Sequence, residues 1–234
     1  MIILALDSTA QTGAVALCRD RSLVASFTLN TGNTHSETLL PSVEAVLKLG
    51  GVSADDVDLF AIAEGPGSFT GVHIGAATIK GLAFGRNKPC VGVSTLEALA
   101  YNLRGFSGIA CPVMNARRSQ VYNALFRVEH GKIERLCPDR AISLADLAAE
   151  LAAYGDTPVY LAGDGYDMTR AALGACNLRE TPEELIYQSG YSVAACALSA
   201  FEAGRYTTDD ALVPTYLRLP QAERERLEKE KNQK

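Results

Sequence analysis

Tryptophan is absent from this 234-residue sequence, and histidine and methionine occur only three times each. His35, His73 and His130 stand far apart, with none of the spacings that gather imidazoles on a metal ion. The six cysteines (Cys18, Cys90, Cys111, Cys137, Cys176 and Cys196) include no Cys-x-x-Cys pair, and most sit in apolar runs. They read as reduced core thiols rather than a disulfide framework or a zinc site. Positive charge is also short: 22 Lys and Arg against 27 Asp and Glu leave a net charge of −5. Strong unaided binding to tRNA or DNA is therefore disfavoured, and Arg117-Arg118 is a local basic pair at most. No apolar run approaches the length of a bilayer span, which excludes a membrane partner. The apolar start, Met1 to Leu6, has no basic flank and is cut by Asp7, so it reads as a buried first strand of a cytoplasmic protein. Neither a Walker pattern nor a Gly-x-Ser-x-Gly elbow occurs.

What the chain does contain is an alternation of strands and helices. Strands are expected over 2–7, 14–19 and 23–29, with a hairpin turn at Asp20-Arg21. Thr34-His35-Ser36-Glu37 is a capping-box pattern opening a helix, and Leu39, Leu40, Val43, Val46 and Leu47 fall on one face of it. A strand over 58–63, a helix over 71–84, a strand over 90–94 and a helix over 95–103 follow. After Gly108 the order restarts, with strands over 109–114, 120–128 and 132–136, a helix capped by Ser143, a strand over 159–161, and a long helix from Ser192 to Ala203. Two successive βββαβα units predict a duplicated, ribonuclease-H-like α/β fold with a mixed five-stranded sheet in each lobe. The expected lobes are residues 1–106 and 107–219, the second less complete, followed by a charged tail over 220–234.

The most informative stretch is Gly65-Pro66-Gly67-Ser68-Phe69-Thr70-Gly71, between an apolar strand and a helix rich in small residues. Strand, glycine turn and helix together can aim free backbone N–H groups at an anion, or bring in a closely packed neighbour. Asp7-Ser8-Thr9 before a hairpin resembles the first phosphate loop of actin-like and sugar-kinase-like proteins. It is equally a turn that Asp and Ser favour for local hydrogen bonding. Gly163-Asp164-Gly165 follows a strand and could approach an adenosine. Asp7, Ser8, Thr9, Gly65, Gly67, Ser68, Gly163 and Asp164 are thus the candidates for residual nucleotide binding, whereas Asn115 brings no negative charge for a magnesium ion.

Four motifs occur in order: Asp7-Ser8-Thr9; His35-Ser36-Glu37 with Leu39-Leu40-Pro41; the glycine loop with Ile74-Gly75 and Lys80-Gly81-Leu82-Ala83; and Ala116-Arg117-Arg118 with Val121-Tyr122. Together they closely resemble the bacterial TsaB (YeaZ) family over nearly the whole chain. The resemblance implies an actin-like (ASKHA) two-lobed fold and a part in making N6-threonylcarbamoyladenosine at tRNA position 37. There, TsaB-like proteins partner TsaD, which transfers the threonylcarbamoyl group from threonylcarbamoyl-adenylate. The ATPase TsaE is the third member, so ATP and magnesium are used by the complex, and tRNA is met only within it. TsaD-like relatives carry a His-x-x-x-His pair where this chain has Thr95 and Leu99; leucine cannot bind metal, so no catalytic and no metal-binding residue is expected here. Asn115 and Val72-His73 depart from the residues many family members carry. TsaB-like proteins pair through the two helices of the first lobe, which makes Leu39, Leu40, Val43 and Val46 on one, and Gly71, Val72, Gly75 and Thr78 on the other, the expected interface. A homodimer is expected when the protein is alone. The competing reading is a stand-alone ATP-dependent phosphotransferase or ATPase using Asp7, the Gly65–Gly71 loop and Gly163–Gly165.

Overall fold

The structure, a computed structural model, describes residues 1–174 and 176–218; the charged tail expected over 220–234 lies outside them. Strands β1 (Ile2–Asp7), β2 (Gly13–Arg19), β3 (Ser22–Leu29), β4 (Leu59–Gly65) and β5 (Cys90–Ser94) form the first sheet in the order β3-β2-β1-β4-β5. The hairpins β1-β2 and β2-β3 are antiparallel, and β4 and β5 add in parallel. Successive residues of β1 point to opposite faces, and both faces are covered. Leu4 and Leu6 meet α1 (His35–Leu49) and α2 (Phe69–Ala83) through Val43, Val46 and Ile79. Ile3 and Ala5 meet α7 (Gly190–Glu202) through Val193, Ala194 and Ala197. At the head of α1, Glu37 reaches back to accept from the Thr34 N–H at 3.1 Å, while the Thr34 hydroxyl donates to the same carboxylate at 2.8 Å.

Helix α7 corrects the expected lobe assignment. It belongs in sequence to the second half, yet it packs on the first sheet. Its small side chains, Ala194, Ala195, Cys196 and Ala197, permit close approach, and a Cβ at Gly190 would stand 2.6 Å from the Ala16 nitrogen. In exchange, α3 (Thr95–Asn102) turns Leu96, Leu99 and Ala100 onto Ala110, Met114, Phe126 and Ala162 of the second sheet. The two halves therefore trade a helix across residue 106.

The second sheet holds seven strands, not five: β6 (Gly108–Asn115), β7 (Gln120–Asn123), β8 (Phe126–Glu129), β9 (Lys132–Arg135), β10 (Arg140–Ser143), β11 (Val159–Ala162) and β12 (Leu178–Arg179). The strand expected over 120–128 is split. β8 pairs residues 108–110 of β6 and β7 pairs residues 113–115, which leaves Cys111 and Pro112 between them unpaired on that side. Pro112 has no N–H to offer the ladder. Its carbonyl instead accepts from the fully buried Asn123 side chain at 3.0 Å, and the same Nδ2 donates to Ala124 O at 3.0 Å. Each half then carries its own third strand, β9 on β8 and β10 on β7. Helices α4 (Leu144–Ala152), α5 (Tyr166–Ala172) and α6 (Glu183–Ile186) complete this lobe.

After α7 the chain returns along the first lobe as an extended strap. Thr207 bridges to Cys90 at the edge of β5, and Leu212 is buried in the core beneath α2. The Lys80 ammonium donates to the carbonyls of Asp210 and Leu212 at 3.1 Å each. The Thr215 N–H donates to Glu64 O at 2.8 Å, and Arg218 ends on Ala116 O at 3.3 Å and on Gln120 Oε1 in the other lobe. Among the described residues no helix is long and apolar enough to cross a membrane.

Candidate functional site

A cleft of about 610 Å³ lies where the lobes meet, walled by the glycine loop, the start of α1, the β6–β7 turn, Asp164 and the end of the strap. The glycine loop and the Asp7-Ser8-Thr9 turn do come together, and they lock onto each other. Ser68 N donates to Thr9 O at 2.7 Å, and Ser8 Oγ donates to Gly71 O at 2.8 Å. A Cβ at Gly67 would stand 2.3 Å from Thr9 O, one at Gly71 would stand 2.0 Å from Ser8 O, and one at Gly75 would stand 2.4 Å from Ser8 Oγ. These glycines are required by the chain's own backbone. Gly65, at φ +117, is faced by the Thr215 carbonyl of the strap.

Asp7, Ser8 and Thr9 are fully buried. Asp7 Oδ1 accepts from the Thr9 N–H and hydroxyl at 2.9 and 2.7 Å, while Oδ2 has no hydrogen-bond partner. Burial pushes the Asp7 carboxyl up to about 6, against the two Thr9 bonds and with a small push from Asp164. Across the cleft, Asp164 accepts from the Asn115 N–H at 2.8 Å, and Arg117 N–H donates to Asn115 Oδ1 at 2.8 Å. Desolvation raises the Asp164 carboxyl too, partly offset by that amide bond. Gly163, at φ +109, packs on Val113 O and the Leu99 side chain.

The Ser68 N–H that could cradle phosphate is taken by Thr9 O, and Asp7 is sealed from the cleft lining. Leu99 is packed against Gly163, Thr95 is fully buried, and among the described residues no group of three His, Cys, Asp or Glu could hold a metal ion.

The expected interface needs correction. Leu39, Val43 and Val46 lie in the core of their own lobe, Val72 is 2% exposed, and Gly71 and Gly75 are pressed on Ser8. An apolar stripe on a surface helix is claimed first by its own sheet. Leu40, 48% exposed, stays on the surface, and Thr78 is half-buried with its hydroxyl on Ile74 O. Exposed positions include Leu40, Pro41, Glu44, Lys48 and Leu49 on α1, and Phe69, Thr70, His73, Ala77 and Gly81 on α2.

Several cleft residues had no role in the sequence reading. His35 Nε2 donates to Ala10 O at 2.6 Å, and its ring packs against Gly13 and Gly71, wedging the β1–β2 turn onto α2. Its place in the His-Ser-Glu motif was the available signal. Glu64 accepts from the Thr215 hydroxyl at 3.1 Å, and burial raises its carboxyl. Nothing local marks Thr215, Tyr216 or Arg218, because only the strap's path brings them to the cleft.

Sheet order, the exchanged helices and the interlobe cleft define an actin-like protein with a duplicated ribonuclease-H-like fold, in which the nucleotide-loop positions are filled by the chain's own backbone. Its fold matches YeaZ from Pseudomonas aeruginosa with a TM-score of 0.77 over 92% of this chain and 99% of that one, at 24% identity. The family model described as TsaD, tRNA N6-adenosine threonylcarbamoyltransferase, matches residues 29–223. The tRNA threonylcarbamoyladenosine biosynthesis protein TsaB of Bacillus subtilis (strain 168) is 33% identical over 99% of this chain and 100% of its own length. Its namesake in Escherichia coli (strain K12) is 38% identical over 56% of this chain and 58% of its own. The chain belongs to the TsaB family.

Proposed function

We propose that this chain is the non-catalytic, activating partner of the enzyme that makes N6-threonylcarbamoyladenosine at position 37 of tRNA. In this reading it acts in the cytoplasm and pairs with a TsaD-type transferase, with TsaE as the ATPase. ATP and magnesium serve the complex, tRNA is met only there, and the chain pairs with itself when alone. The observation that carries the reading is the closed pair of loops: Gly67 and Gly71 accommodate Thr9 O and Ser8 O where a phosphate would need room. Leu99 beneath Gly163 supports it from the other side of the cleft.

The test is reconstitution with TsaD, TsaE, tRNA and threonylcarbamoyl-adenylate. Modified tRNA should form only when this chain is added to the others, and ATP turnover by the chain alone should stay at background. Turnover by the isolated chain, or full modification without it, would overturn the reading. Pairing is best probed on the outward line of α2. Ala77→Arg should abolish self-association and capture of the transferase without a fall in thermal midpoint. Val72→Glu is a poor probe, because it would bury a charge in the core.

A further inference from the structure

The sheet of the first lobe ends on one side in β3, and among the described residues this edge is unlike the others. Thr207 of the strap bridges to Cys90 at the β5 edge. In the second sheet β12 is two residues long, and β9 and β10, of four residues each, carry Lys132, Glu134, Arg135 and Arg140. Short length, charge and covering are the devices that keep an edge from pairing with another chain. Strand β3 uses none of these three. It runs for eight residues, Ser22–Leu29, without a charged residue or a proline. A bulge lies near its hairpin end, and beyond it Ala25 to Leu29 pair with Leu17 to Gly13 in unbroken register. Among the described residues no backbone hydrogen bond reaches β3 except from β2. Every second residue therefore turns its N–H and C=O outward, away from β2.

The side chains define what suits this edge. Residues directly opposite each other in a ladder share a face. Phe27 and Ala25 stand opposite Val15 and Leu17, which belong to the core beneath α1, and Ser26 stands opposite Ala16, on the α7 side. On the α1 side Phe27 is 36% exposed and Val24 45%. Helix α1 ends beside them: a Cβ at Gly50 would stand 3.6 Å from Val24, and the adjoining Leu49 is 75% exposed. On the other face Ser26 and Thr28 present exposed hydroxyls. An added strand thus meets apolar surface on one face and small polar groups on the other.

We infer that β3 is a docking edge for an extended segment of a partner protein. The segment that fits is uncharged, with β-branched or aromatic side chains at alternate positions on the α1 side and serine or threonine between them. Backbone hydrogen bonds supply the affinity, and the surface of Val24, Phe27 and Leu49 supplies the preference for side chains. The edge lies on the other side of β1 from β4, on which α2 packs. A strand added there leaves the outward line of α2 and the interlobe cleft open.

Fluorescence anisotropy and hydrogen exchange on the full chain test this. The probe is a labelled synthetic peptide of alternating valine and threonine between pairs of lysines. It should bind saturably below about 1 mM and slow amide exchange within residues 25–29. A copy with two adjacent prolines at its centre has the same charge and should not bind. Ser26→Lys and Phe27→Lys, each checked for an unchanged thermal midpoint, should weaken binding at least tenfold. The inference falls if the probe does not bind, if the proline copy binds equally, if binding survives both lysine variants, or if protection appears only outside β3. Protection of 25–29 in the concentrated chain alone, released on dilution, would make the occupant a second copy and reject the partner segment.

Discussion

The two lobes repeat one plan and diverge at their central strands. In the first, β1 is paired along its length and both sheet faces carry helices, with irregularities confined to the β2–β3 and β4–β5 ladders. In the second, β6 runs unbroken along β11, but opposite Pro112 its other neighbour splits into β7 and β8, and seven strands replace five. Their glycine turns place the tight position differently. Gly71 lies under the Ser8 carbonyl and launches a 15-residue helix, whereas in the second lobe Gly163 is the tight one and Gly165, which precedes a seven-residue helix, is looser against Val113 O. The lobe that keeps its regularity is the one that carries the helices proposed for pairing.

The sharpest way to break this contrast is at the glycines. Gly71→Ala places a methyl group 2.0 Å from backbone, and should lower stability by about 3–4 kcal/mol in urea denaturation. Gly165→Ala should lose less than about 1.5 kcal/mol, and Gly81→Ala, with nothing within 4 Å, should gain up to about 1 kcal/mol from helix propensity. Equal losses at Gly71 and Gly165 would erase the distinction between the turns. Next in size is the break in the second sheet. Asn123→Ala strands the Pro112 and Ala124 carbonyls, for an expected loss of about 2–3 kcal/mol. If hydrogen exchange in β7 and β8 then stayed at its original rate, Asn123 would not be what holds the split together.

The remaining effect is electrostatic. Folding raises the Asp7 carboxyl from 3.8 to about 6, so the folded state holds this proton more tightly than the unfolded chain does. Its contribution is most favourable below pH 3.8 and is lost as pH rises through about 6. Asp7→Asn, which keeps an acceptor for Thr9, should flatten stability between those limits and gain about 2 kcal/mol at pH 7.5. An Asp7→Asn chain with the original pH profile would show that another group, Asp164 or Glu64, sets the slope.

Much of this architecture was legible in the residues. The alternating apolar runs of β1, β2 and β4, the Thr34–Glu37 start of α1 and the two-lobed duplication all carry local signals, and the structure has each of them. The home of α7 was not legible, because an apolar helix does not record which sheet it covers. Pro112 was a signal present in the sequence: a proline inside an apolar strand forecasts a broken ladder. At the candidate site, the Gly65–Gly71 loop and Asp7-Ser8-Thr9 were readable as neighbours. That they would bond to each other depended on close backbone approach, which glycine permits equally toward a ligand or toward the chain itself. The stripe of Leu39, Val43 and Val46 was correctly seen as apolar and wrongly turned outward.

The helix exchanged between the halves also governs the order of events during synthesis. Ile3, Ala5 and Ala16 are made well over a hundred residues before the helix that covers them, which spans 190–202. Until it leaves the ribosome, most of one face of the first sheet is covered only by Ala98 and Tyr101 of α3. A chain cut after residue 106 would keep that thinly covered face, while the remainder would hold α7 with no sheet to rest on. The two lobes are thus separate in shape but a single unit in folding, completed only when α7 docks.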